Sequence, residues 1–132
     1  MAKTIAPFLM FQDGSAEAAM RFYVSRFRGG EILDCQLYTR GEPGPEGTVK
    51  LARFRIAGLT VLCSDSHVKH AFGFTPSTSL FVECESEEEL DRLHTAFADG
   101  GATLMPPGGY GFSRRFAWVN DRFGVSWQLN VA

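Results

Sequence analysis

Two of the three histidines in this 132-residue chain lie close together beside a carboxylate, in Asp65-Ser66-His67-Val68-Lys69-His70. Imidazole ligates borderline metals and exchanges protons near neutral pH, so the cluster can be read as a metal site or a proton relay. The competing reading is an ordered connector, in which Asp65 and Ser66 cap a turn and the imidazoles bond to backbone. If one of the two acts as acid or base, it is His70. His94 falls on a helical stretch and reads as a half-exposed surface residue. Cys35, Cys63 and Cys84 are odd in number and form no C-x-x-C pair, which argues against a disulfide framework or a zinc knuckle. They read as reduced thiols inside strands. No Ser, His and Asp set or Cys and His set is placed as a nucleophile, and Gly108-Gly109-Tyr110-Gly111 lacks the lysine and following helix of a phosphate loop.

The elements that must position these residues repeat. Pro7-Phe8-Leu9-Met10-Phe11-Gln12 leads to Ser15, a helical stretch ending at Phe27, and Gly29-Gly30; Ser79-Leu80-Phe81-Val82-Glu83-Cys84 leads to Ser86, a second helical stretch and Gly100-Gly101. The offset is 71 for the serines and for both glycines. A strand, a capped helix and a glycine stop recurring in register predict two copies of one supersecondary unit. Three strands should complete each copy: Glu31 to Thr39, Val49 to Ile56 and Leu59 to Ser64 in the first; Thr103 to Met105, Arg115 to Asn120 and Val125 to Asn130 in the second. The result is one domain with module one at 1–64, a connector at 65–78 and module two at 79–132. Ser15 is expected as the first N-cap, with Ala19, Phe22, Tyr23 and Phe27 facing the sheet. Ser86 and Glu89 form a capping box, and Leu90, Leu93 and Phe97 supply the second buried stripe. Ala57-Gly58 is a hairpin turn. Residues 40–47 are too rich in Pro and Gly for regular structure, and Pro106-Pro107-Gly108-Gly109 should loop out and bring Tyr110 to Arg115 to a rim.

Length fits one domain with a sizeable core. A net charge of −2 with scattered Arg and Lys argues against nucleic acid as a partner. No apolar run reaches membrane-spanning length, and the start Met-Ala-Lys-Thr-Ile-Ala lacks a signal-peptide core. A cytoplasmic protein with a small-molecule partner is expected.

Beside the paired βαβββ arrangement stand the segments Pro7 to Gln12, Phe22-Tyr23-Val24-Ser25, Asp65-Ser66, His70-Ala71-Phe72, Phe74-Thr75-Pro76, Leu104-Met105-Pro106, Tyr110-Gly111-Phe112-Ser113 and Phe123 to Asn130. With them the chain resembles, over nearly its whole length, the vicinal oxygen chelate superfamily, and more closely its PhnB-like group, labelled 3-demethylubiquinone-9 3-methyltransferase domains. The resemblance implies an α+β fold of two half-barrels around a cleft, and a homodimer. It also implies metal ligands, where relatives use them, on the first and last strands of each module. The offset of 71 pairs Phe8 with Ser79, and aligning Gly58 with Gly124 pairs Leu62 with Gln128. Phe and Leu cannot ligate, and only Gln128 offers a respectable oxygen, so no metal or other cofactor is expected. The methyltransferase label lacks a glycine-rich turn to hold a nucleoside-bearing donor.

The expected ligand cleft comprises Phe8, Phe74, Ser79, Phe81, Tyr110, Phe112, Arg114, Trp118, Trp127 and Gln128, around a small apolar or aromatic molecule. Arg114 can fix an anionic group or serve as a solvated surface residue. Two other functions stay open. One is an enzyme, dependent on a divalent metal through His67, His70 and Gln128, or metal-free through His70. The other is a structural or regulatory dimer with its cleft filled by its own side chains.

Overall fold

Strands in both halves alternate apolar with polar residues, which gives each sheet one face for a helix to seal and one face without a helix. The computed structural model describes residues 1–132 and contains two compact units, residues 1–71 and 72–132. The first unit holds β1 (Phe8–Phe11), α1 (Ala16–Arg26), β2 (Glu31–Leu37), β3 (Val49–Ile56) and β4 (Leu59–Asp65). The second holds β5 (Leu80–Glu83), α2 (Glu87–Ala98), β6 (Ala102–Gly108), β7 (Arg115–Asn120) and β8 (Ser126–Val131). Strand orders are β1-β4-β3-β2 and β5-β8-β7-β6, with β1 parallel to β4, β5 parallel to β8, and the other neighbours antiparallel. The protein is thus an α+β fold of two βαβββ sheets, neither closed into a barrel.

Each core lies between helix and sheet. In the first unit Ala16, Ala19, Met20 and Tyr23, spaced at helical periodicity, are buried against Ala52, Phe54, Val61 and Cys63. The expected stripe is shifted by one face: Phe22 is half-buried and Phe27 has already left the helix. In the second unit Leu90, Leu93 and Phe97 are buried against Ala117, Val119, Trp127 and Leu129.

The helix stops repeat as the glycines imply. Gly29 and Gly100 sit at φ +73° and +76°, and a Cβ on Gly30 or Gly101 would collide with a backbone carbonyl. The strands repeat at a different offset. Phe8 pairs with Leu62 on β4, and Phe81, not Ser79, holds the equivalent place beside Gln128 on β8. Module one absorbs the two-residue difference between β1 and α1, where the chain turns at Gly14 (φ +78°).

The N-termini of the helices are satisfied differently. Ser86 Oγ accepts from Glu89 N at 3.1 Å and Glu89 Oε1 accepts from Glu85 N at 2.8 Å, a reciprocal cap. Ser15, expected to cap α1, makes no such bond and donates its hydroxyl to Asp13. The cap comes instead from Asp65, at the end of β4: one oxygen accepts from Ala16 N at 2.9 Å and the other from Val49 N at 2.8 Å. This buried carboxylate ties helix, β3 and β4 together.

The expected loop from Pro106 is also shorter than its sequence suggests. β6 runs through both prolines to Gly108, which an edge strand tolerates because one side of it has no ladder to supply, and a register shift between Met105 and Gly108 absorbs them. Asp65→Ala should lower stability by about 2–5 kcal/mol, since it strands two buried N–H groups, as read by urea denaturation. A loss below about 1 kcal/mol would contradict the clamp.

Candidate functional site

The last strand of the second sheet reads Ser126-Trp127-Gln128-Leu129-Asn130-Val131, and period two sends these side chains to opposite faces. Trp127, Leu129 and Val131 go to the helix. Ser126, Gln128 and Asn130 go to the helix-free face, where neighbouring strands add three rows across the sheet. Gln128 lies between Phe81 on β5 and Trp118 on β7, with Met105 beyond. Asn130 lies between Glu83 and Phe116, and Ser126 lies beside Asn120.

Hydrogen bonds fix this face. Trp118 Nε1 donates to Ser126 Oγ at 2.9 Å, and Ser126 Oγ pairs with Ser79 Oγ at 2.7 Å. Asn130 Nδ2 donates to the two Glu83 oxygens at 3.4 and 3.2 Å. Gln128 is half-buried, and its carboxamide has no hydrogen-bond partner in the protein. Asn120 Oδ1 is buried without one. Phe81 is 54% exposed, and its equivalent by strand register, Phe8 on β1, is 51% exposed.

The two sheets differ in what surrounds those phenylalanines. On the first, the row is Phe8, Leu62 and Arg53, with Arg53 Nε bonded to Asp34 at 2.7 Å and Arg55 paired with Glu31. Its charges are satisfied within the sheet. On the second, the row offers an unpartnered amide between two aromatic side chains.

The other expected site residues fall in several places. Tyr110, Phe112 and Phe116 form an aromatic cluster, with Phe112 edge-on to Phe116 at 5.0 Å and stacked on Tyr110 at 6.2 Å. Phe74 packs near Gly124 in the β7–β8 connection. Trp127 does not belong to the helix-free face. It is fully buried, stacked on Phe97 at 4.5 Å, and donates Nε1–H to Asp121 at 2.9 Å. Arg114 is not placed to hold an anion there either, because it pairs with Glu87 at the start of α2 at 3.5 Å.

The Asp65, His67 and His70 cluster is dispersed by its own hydrogen bonds. Asp65 is turned to the helix cap, and His67 Nδ1 lies 3.4 Å from Tyr38 Oη. His70 is held through its backbone N–H by Gln12 Oε1 at 2.6 Å, and its Nε2 lies 3.3 Å from Ser66 Oγ. Ser66 spends its hydroxyl hydrogen on the Val68 carbonyl at 2.6 Å, so His70 Nε2 is the donor in that contact. His94 bonds Thr103 at 2.9 Å, and burial lowers its pKa.

The four strand positions where the fold class places metal ligands carry Phe8, Leu62, Phe81 and Gln128. Phe8 and Leu62 on the first sheet offer no donor atom, and Gln128 beside Phe81 on the second offers one neutral oxygen, so neither sheet fits a divalent ion. Neither unit gathers three His, Cys, Asp or Glu side chains into a metal-holding group.

Sequence reasoning missed Glu83, Asn120, Ser126 and Asn130. The alternation along Ser126 to Val131 contained the signal, since it separates the three polar residues from Trp127.

Two mixed four-stranded βαβββ sheets are the architecture of the glyoxalase/bleomycin resistance/dioxygenase fold. Residues 3–130 match the family described as 3-demethylubiquinone-9 3-methyltransferase, and the chain belongs to that family. It is similar to a solved Bacillus cereus protein described as "Putative 3-demethylubiquinone-9 3-methyltransferase, PhnB protein", at 50% identity and TM-score 0.95 over 98% of this chain and 100% of that one. It is 25% identical to protein YjdN of Escherichia coli K12, over 96% of this chain and 94% of the relative. A glyoxylase/bleomycin resistance protein/dioxygenase domain from Frankia shares the fold at TM-score 0.65 and 17% identity, covering 100% and 98% of the two chains.

The cysteines are not activated nucleophiles. Burial pushes the Cys63 thiol up to about 12 and Cys84 up to about 11, and burial with the Glu17 charge raises exposed Cys35 as well. Titration with a disulfide reagent at about pH 8 should give one fast thiol in the native protein, absent in Cys35→Ser, with the other two appearing only on unfolding. Rapid labelling of Cys63 or Cys84 in the folded state would contradict this.

Proposed function

We propose that this chain is a metal-independent binding protein, a homodimer like others of its superfamily, that holds a small planar molecule against the helix-free face of its second sheet. The observation that carries the reading is the row of Phe81, Gln128 and Trp118. A free carboxamide fixes orientation through one donor and one acceptor, while the aromatic side chains on either side supply apolar contact. Adjacent strands are about 4.8 Å apart, so the row is about as wide as one aromatic ring system. Trp118 is pre-set for this by its bond to Ser126, which leaves little side-chain freedom to lose on binding.

Binding without turnover fits the rest of the chain. His67 and His70 are tied into the connector, and the Cys63 and Cys84 thiols are held protonated by burial. Methyl transfer from a nucleoside-bearing donor is not supported: the turn from β1 into α1 carries one glycine, and no doubly wound parallel sheet follows it.

Benzamide is a suitable first probe, because its amide can pair with Gln128 while its ring lies against Phe81 and Trp118. Saturable quenching of Trp118 fluorescence is expected, with affinity about tenfold lower in Gln128→Leu, which keeps the side-chain volume but removes the amide. No saturable response in the unaltered protein, or equal affinity in Gln128→Leu, would overturn the proposal.

A further inference from the structure

On the helix-free face of the second sheet, the hydroxyl and indole donors are consumed inside the protein while strong acceptors are left over. Ser79 Oγ donates toward the Pro76 carbonyl at 3.4 Å, so Ser126 directs its hydrogen to Ser79 and accepts from Trp118. The Tyr110 hydroxyl donates to the Pro106 carbonyl. Glu83, exposed on β5, receives only the Asn130 amide, and none of the chain's ion pairs includes it. Asn120 Oδ1, on the same face, is buried and has no partner.

Aromatic residues share the face of this carboxylate, which no basic side chain of the chain neutralises. Phe81 lies two residues before Glu83 and on the same face, and Phe116 lies across Asn130 from it, with exposed Phe112 packed over Phe116. A cation here gains from the carboxylate charge and from the negative ring faces together. A single carboxylate among phenyl rings supplies too few oxygens for a metal ion, whereas it suits a positive group carried on an apolar body. The first sheet shows the contrast, since its carboxylates at Asp34 and Glu31 are already neutralised by Arg53 and Arg55.

We propose that the ligand of this face is an organic cation, an ammonium or amidinium on an aromatic or alkyl frame, with its charge at Glu83 and its body over Phe81 and Gln128. This rests on the binding reading above and adds the sign of the ligand's charge. Benzamidinium, benzamide and benzoate have nearly the same shape and differ in charge, so they separate the two claims.

Benzamidinium should bind about tenfold more tightly than benzamide, and benzoate more weakly than either. Glu83→Gln should bring benzamidinium close to benzamide. Phe112→Leu should weaken benzamidinium selectively. Raising the salt concentration should narrow the gap, as expected for a partly exposed charge. Benzamide binding with no preference for benzamidinium, or a preference that survives Glu83→Gln, would overturn the cation assignment and leave the binding reading standing. Failure of both to bind would overturn both.

Discussion

The second sheet depends on where Trp127 goes. Its indole is sealed between Phe97 and the sheet, and its one polar atom is bound by Asp121, which also accepts from Phe123 N and Val125 N in the turn leading into β8. A shift of β8 by one residue would put the indole on the helix-free face and the Gln128 amide in the core, losing the aromatic stack and burying an unpaired amide. Either term is worth several kcal/mol against a total stability that is small for any domain. Register is therefore strongly specified, and the direction of Gln128 is a consequence of how Trp127 packs.

Both units use a buried aspartate for such a purpose, at different places in the repeat. Asp65 closes the first unit by joining α1 to β3, and Asp121 closes the second by holding a turn and an indole. The positions are not equivalent, because the hairpin between β3 and β4 is the two-residue turn Ala57-Gly58 whereas β7 and β8 are joined by a longer connection that needs its own acceptor. The same divergence separates the helix-free faces. Arg53 and Arg55 with their acids neutralise one, and Trp118, Gln128 and Glu83 leave the other with unspent hydrogen-bonding capacity.

Much of the architecture could be read from the chain because its signals are local and repeated. Serine, helix and double glycine recur at one offset, and the glycine positions need positive φ or close approach that only glycine supplies. The strand equivalence could not be read from that offset, since the two extra residues lie between β1 and α1 and only the ladders show them. The α1 cap was hidden for a similar reason: Asp65 is remote in sequence, and Ser15 has the right chemistry but a nearer partner in Asp13. The candidate site was legible in part. Aromatic content and family-like position pick out Phe81, Trp118 and Gln128, but content alone ignores the alternation along β8 and so groups Trp127 with them. Glu83 and Asn130 carry no such signal, because each is an ordinary strand residue until the register sets them side by side.

The most direct test of the account is a nuclear magnetic resonance titration with benzamide, following the Gln128 side-chain amide and the two tryptophan indole N–H resonances. Movement of the Gln128 amide and the Trp118 indole, with the Trp127 indole unmoved, is the result the account predicts. Shifts confined to residues elsewhere in the chain, with Gln128 and Trp118 unmoved, would contradict it.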